Sequence, residues 1–201
     1  MRGGDYLKKE LDEKLQAAFP WLRRPELHSE KTYEFVKGYS LYDNYGFEVG
    51  DGWYQLLFDL CTRIEEIYKE YDQPVTLKPA QIKSKFASLR FYYDLPGKEL
   101  GIQAFDFIGS GSIRMYPEGE ADSLENKIAE CVRSAEAKSK SICEQCGSEN
   151  GELCNDPPVF RWITTLCPDC KEARIALYNK NLEEREHYKE ELLKKKADGT
   201  D

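Results

Sequence analysis

Hydrophobic positions form helical stripes at four places along the chain and strand-like alternation between them. Leu7, Leu11, Leu15 and Phe19 recur at every fourth residue and predict a short helix over residues 4–19, ended by Pro20. A second stripe, Trp53, Leu56, Leu57, Leu60, Ile64 and Ile67, predicts a helix over 51–71, with Asp51 as its N-cap and Pro74 past its end. A third, Leu124, Ile128, Val132 and Ala135, predicts a helix over 121–141 that turns Glu125, Lys127, Arg133 and Lys140 outward. The last helix runs from Lys171 to about Lys196, opening on Ala173, Ile175, Ala176, Leu177 and Tyr178 before charge dominates.

Residues 20–50 set Trp21, Tyr33, Phe35, Tyr39, Tyr42, Tyr45 and Phe47 among glycines and polar residues, and read as an irregular connection with one short strand. Shorter elements are expected between the second and third helices. Val75 to Leu77 reads as a strand, and Pro79 to Phe86 as a short helix with Pro79 in its first turn. Leu89 to Tyr93 and Ile102 to Ile108 read as strands paired about a Pro96-Gly97 turn, with Ile113 to Tyr116 as a third. The fold class is therefore α+β, with helices packed on a small antiparallel sheet. Three segments follow: an α+β domain over 1–141 with its sheet at 75–116, a cysteine-rich module over 142–171, and a charged helix and tail over 172–201.

Charge narrows the function classes. The 201 residues carry 29 Lys+Arg against 37 Asp+Glu, a formal charge of −8, which excludes a generally basic nucleic-acid coat. Any polyanion would have to meet a local patch. No apolar run reaches the roughly 18 residues of a membrane span, and the opening MRGGDYLKKELDEKL has no apolar signal core, so a cytoplasmic protein is expected.

In that compartment seven cysteines point to metal ligands and buried thiols rather than a disulfide framework. Cys143-Glu144-Gln145-Cys146-Gly147 is followed, after 20 residues, by Cys167-Pro168-Asp169-Cys170. Each CxxC turn aims two thiolates at one point, and a hairpin between the pairs would bring Cys143, Cys146, Cys167 and Cys170 around one structural zinc ion. Phe160 to Leu166 reads as the strand entering the second pair, so the module is expected to be zinc-ribbon or treble-clef-like. Redox dithiols are the competing reading, disfavoured because two matched pairs flank one hairpin. Cys154 lies inside the loop and could substitute as a ligand, but it lacks the turn spacing. Cys61 and Cys131 sit beside apolar stripe positions and read as small buried hydrophobes.

Two surfaces could meet a partner. Between Pro74 and Tyr93 stand Lys78, Lys83, Lys85 and Arg90 with no acidic residue, interleaved with Phe86, Phe91, Tyr92 and Tyr93. Lys83, Lys85, Arg90 and Tyr92 could bind a nucleotide or nucleic acid, with cations neutralising phosphate and rings stacking on bases. The plainer alternative makes Leu89, Phe91 and Tyr93 the core face of a strand, with Arg90 and Tyr92 in solvent. The last helix carries sparse apolar residues (Leu182, Tyr188, Leu192, Leu193) that could contact a protein. Gly50-Asp51-Gly52 offers an anion-binding helix start, which Asp51 itself would fill. His28 and His187 are the only histidines, neither in a catalytic spacing, and there is no phosphate loop, GxSxG elbow or dinucleotide fingerprint, so no catalytic residue is assigned.

Four blocks together resemble a family of uncharacterised proteins encoded by bacteria, phages and prophages. They are Tyr45-Gly46-Phe47-Glu48-Val49-Gly50-Asp51-Gly52-Trp53, Gln81 through Tyr93, Ala135-Glu136-Ala137-Lys138-Ser139 running into Cys143 to Gly147, and Trp162 through Cys170. The chain departs from that pattern at Val49, where a Cys often stands, and at Ala87-Ser88, where a Gly is usual. The resemblance implies a phage-type accessory protein of a bacterial host cell, to which the residues add a structural zinc and no catalytic signature. Such a protein would dock on a host or phage protein, by analogy as an inhibitor of antiphage defence.

Overall fold

The computed structural model describes residues 6–27, 35–95, 105–106, 112–113 and 122–197. The first leucine stripe forms α1 (Lys9–Ala18), burying Leu15 and, at its flanks, Leu7 and Phe19. After a 3-10 turn at Pro20–Leu22, the chain reaches α2 (Leu41–Tyr45). Ser40 and Asp43 close the start of α2 as a reciprocal capping box. The buried Tyr42 hydroxyl donates to the Leu22 carbonyl at 2.9 Å, tying α2 to the turn after α1.

The second stripe forms α3 (Tyr54–Glu70), entered through a 3-10 turn at Asp51–Trp53, and all six of its apolar positions are buried. It packs against α4 (Leu124–Ser139), where Leu124, Ile128, Val132 and Ala135 are buried and the Ser123 side chain caps the start. Asp51 does not cap α3. Its Oδ1 accepts the Lys8 backbone N–H at 2.8 Å and its Oδ2 meets Lys8 Nζ at 2.7 Å, so it pins the approach to α1 onto the start of α3.

The sheet departs from the expected all-antiparallel one. Its order is β1 (Phe47–Glu48), β2 (Lys78–Ser84), β3 (Leu89–Asp94), with β1 parallel to β2 and β2 antiparallel to β3. The segment expected as a helix over Pro79–Phe86 is thus strand β2 and its turn, and Val75–Leu77 carries no ladder. Pairing overrides local preference here: Lys85 N–H donates to Ser88 O at 2.9 Å and Ser88 N–H to Lys85 O at 3.2 Å. That closes a two-residue turn with positive φ at both Phe86 (+52°) and Ala87 (+55°), the type I′ geometry that suits a hairpin's twist. Pro79, which lacks an N–H, sits where the ladder shifts register.

Leu89–Asp94 pairs with β2 and, among the described residues, with no part of the expected strand Ile102–Ile108. Within that segment, β4 (Phe105–Asp106) pairs instead with β5 (Ser112–Ile113). The Pro96-Gly97 turn and residues 114–116 lie outside the described residues, as do Tyr33 and His28. The outer edge of β3 is covered by α4: Leu89 N–H donates to Ser139 Oγ at 2.9 Å and Phe91 N–H to Glu136 Oε1 at 3.0 Å. A strand edge that could recruit another chain is thereby closed by two buried helix side chains. Beyond α4 come a hairpin of β6 (Glu152–Cys154) and β7 (Thr164–Leu166), then α5 (Pro168–Ala197). Among the described residues no helix is long and apolar enough to cross a membrane.

Candidate metal centre

Cys143 and Cys146 lie in the tight turn that follows α4, and Cys167 and Cys170 at the start of α5. The first turn closes with Gly147 N–H donating to Cys143 O at 2.9 Å and Cys143 N–H to Ser148 O at 2.8 Å. Gly147 takes φ +83°, a conformation that L side chains rarely adopt. The second pair is built into a helix start: Pro168 needs no hydrogen-bond partner in the first turn, and Lys171 N–H donates to Cys167 O at 2.9 Å. There the helix dipole favours negative charge, and thiolates are what a metal requires.

The β6–β7 hairpin joins the two turns. Glu144 N–H donates to Thr165 O at 2.8 Å, and Thr165 N–H returns to Glu144 Oε1 at 2.9 Å. As a result the four sulfur atoms all lie within 4.8 Å of one another, with Cys146 Sγ 3.6 Å from Cys167 Sγ. A tetrahedral Zn–S shell of about 2.3 Å radius requires sulfurs about 3.8 Å apart, so this donor set fits a four-thiolate metal site. The ionisation preferences agree. Burial pushes the Cys143 thiol up, but backbone N–H groups of Cys167, Cys146 and Gln145 outweigh it and bring the group down to about 7. Cys170 is pushed up by burial and by the neighbouring sulfurs. Four sulfurs this close cannot all carry charge alone, and a divalent cation at their centre removes the conflict.

The hairpin is shorter than expected, since only Thr164–Leu166 of the segment Phe160–Leu166 is strand. Phe160 is buried in the module's small core with Cys154 and Leu166, while Trp162 is 77% exposed. Cys154 stands outside the four-sulfur group, its Sγ directed at Glu152 O at 3.6 Å. Cys61 is buried in the main core, where desolvation pushes its thiol well up, and Cys131 packs at that core's margin.

Sequence reasoning missed the groups that seat the module on the body. Gly52 N–H donates to Glu144 O at 2.9 Å. Trp53, fully buried, donates from Nε1 to Ile142 O at 2.9 Å. A Cβ on Gly52 would lie 2.1 Å from Cys143 O and 2.5 Å from Gly147 N, and one on Gly50 would lie 2.2 Å from Glu144 O. The Gly50-Asp51-Gly52-Trp53 turn is therefore pressed backbone to backbone against the first cysteine turn. It is no anion site, because the Gly52 N–H is already taken. The signal available in the sequence was the presence of both blocks in one chain, without the contact that joins them.

Of the candidate ligand-binding residues, the register places Lys83 opposite Arg90, Gln81 opposite Tyr92, and Glu48 beside Lys83. Cross-strand partners share a face, so Lys83, Arg90 and Tyr92 come together, with Lys83 Nζ 5.6 Å from the Tyr92 ring centroid. Lys85 stands at the hairpin turn, its Nζ over the Phe86 ring at 5.4 Å. These polar groups are mutually engaged: Lys83 donates to Gln81 Oε1 at 2.8 Å, Gln81 to Glu48 Oε2 at 2.8 Å, and Arg90 to Ser88 Oγ at 2.8 Å. Leu89, Phe91 and Tyr93 are buried on the opposite face, as the plainer alternative holds. Comparison with family models, with curated proteins and with solved structures returns no match.

Proposed function

We propose that the protein is a non-catalytic, zinc-stabilised binding protein that acts by docking on another protein, with the four-cysteine module as the rigid base from which α5 is presented. The bound metal would be held by Cys143, Cys146, Cys167 and Cys170. A closed four-thiolate shell leaves no position for water or substrate, so the ion supplies folding energy and no chemistry. The phage or prophage setting and the role against host defence stay with the resemblance described above, and they fit a small protein whose business is to occupy a partner's surface.

One observation carries the docking reading: from Asn179 to Lys194 every residue of α5 is exposed. Among the described residues this length of helix joins no core, yet its base is fixed by Cys167 and Cys170 against the module. The test is to replace Arg185, Tyr188, Lys189 and Leu192 together by Ala. Zinc content and melting temperature should be unchanged, while a protein that the unaltered chain captures stoichiometrically from cells should no longer be captured. A large drop in melting temperature would show that α5 belongs to the fold instead, and the docking reading would be withdrawn.

A further inference from the structure

We infer that α5 docks through one face, and that this face fits an acidic protein surface with an apolar trough. The inference rests on the docking reading and names the partner's chemistry. Winding α5 at about 100° per residue puts Tyr178, Leu182, Arg185, Lys189 and Leu192 in one seam at four- and three-residue spacing, flanked by Asn181 and Tyr188. No carboxylate falls within that face. Asp169, Glu172, Glu183, Glu190 and Glu191 all fall on the other half, and Glu184 and Glu186 stand at its two boundaries.

Pairing follows the same division. Lys180 Nζ lies 3.9 Å from Glu184 Oε1 and His187 Nδ1 lies 3.7 Å from Glu191 Oε1, whereas Arg185 and Lys189 make no ion pair among the described residues. Arg185 and Lys189 are also four apart on one face, where like charges destabilise a free helix. An acidic partner would relieve that repulsion. Leu192 is 40% exposed and Tyr188 61% exposed, and a shallow trough beside them is lined by Asn181, Glu184, Arg185 and Lys189.

Protein is favoured over nucleic acid on two counts. A helix lying in a nucleic-acid groove meets phosphates on both flanks, and the carboxylate half of α5 would face one of them. The seam also sets leucines among its cations, and leucines match an apolar groove read at i, i+3, i+4 and i+7 spacing rather than a sugar-phosphate backbone.

The experiment titrates the full chain with three probes: a helical peptide bearing a leucine stripe flanked by glutamates, the same peptide with lysines for glutamates, and an oligothymidine. Backbone amide resonances of residues 178–192 report contact, with zinc content and melting temperature measured alongside. The acidic peptide is expected to shift those resonances and to lose affinity about tenfold or more in Arg185→Glu/Lys189→Glu. Glu183→Gln/Glu190→Gln, on the other half, should not weaken it. Failure of the acidic peptide to bind, or equal binding of the basic one, overturns the inference. Tighter binding of oligothymidine replaces it with a nucleic-acid interface, and a doubling of mass on concentration replaces it with a second copy of the chain. Failure of the acidic peptide overturns this inference alone, because the docking reading still stands if the Arg185, Tyr188, Lys189 and Leu192 replacement leaves melting unchanged and abolishes a protein complex; tighter oligothymidine binding overturns both.

Discussion

Phe86 and Ala87 show what a single backbone position can conceal. Both take positive φ in the β2–β3 turn, and Asn-Gly is the pair that such a turn prefers. Left-handed backbone costs an L residue about 1–2 kcal/mol. At Ala87 the relief from Gly would be offset by lost burial and added chain entropy, because its side chain is only 3% exposed. Phe86 is 46% exposed and gives up little beyond the Lys85 contact on its ring, worth about 0.5–1 kcal/mol. Phe86→Asn is therefore expected to raise stability by about 0.5 kcal/mol in urea unfolding; a clear loss would mean that the ring packs more usefully than its exposure indicates. This turn was hard to read in the sequence because neither residue is a turn former. The four cysteines, by contrast, were legible, because ligand chemistry is written in short spacings that survive any detail of the fold.

Among the elements, the helices were readable and β2 was not. An apolar stripe at 3.6-residue period is a local property of the chain: the stripes of α3 and α4 are buried throughout, and that of α1 is buried at Leu7, Leu15 and Phe19 and partly buried at Leu11. A half-buried strand held by a neighbour is not local, and β2 owes its conformation to the β3 ladder on one side and β1 on the other. Glu136 was likewise invisible, since a glutamate in a charged helix reads as solvent-facing. It is 8% exposed and accepts the Phe91 N–H at the outer edge of β3. Glu136→Ala should cost about 1–3 kcal/mol by stranding that buried donor, whereas Glu136→Gln, which keeps an acceptor oxygen, should cost well under half as much. Equal costs in chemical denaturation would show that the edge contact contributes little and that packing alone accounts for the residue.

At the scale of the whole molecule, two cores meet through backbone. The main core gathers α1, α3, α4 and the buried face of the sheet, and the smaller one gathers Cys143, Cys154, Phe160, Leu166 and Cys167. They are joined where the Gly52 N–H meets the Glu144 carbonyl, where Trp53 reaches the Ile142 carbonyl, and where Thr165 Oγ1 donates to Ala87 O at 3.1 Å. The metal module is thus keyed to the body rather than tethered to it, and loss of the ion should be felt in both. With so little apolar content in the module, thiolate–metal bonds would be its main support once an ion is bound. The most direct measurement is native mass spectrometry of the full chain under reducing conditions, paired with thermal melting before and after chelation and in Cys167→Ser. The expected result is a mass of the chain plus one zinc ion, a single melting transition that falls sharply on chelation, and no stoichiometric zinc in the Cys167→Ser variant. A chain at its bare mass, melting unchanged by chelator or by Cys167→Ser, would contradict the account.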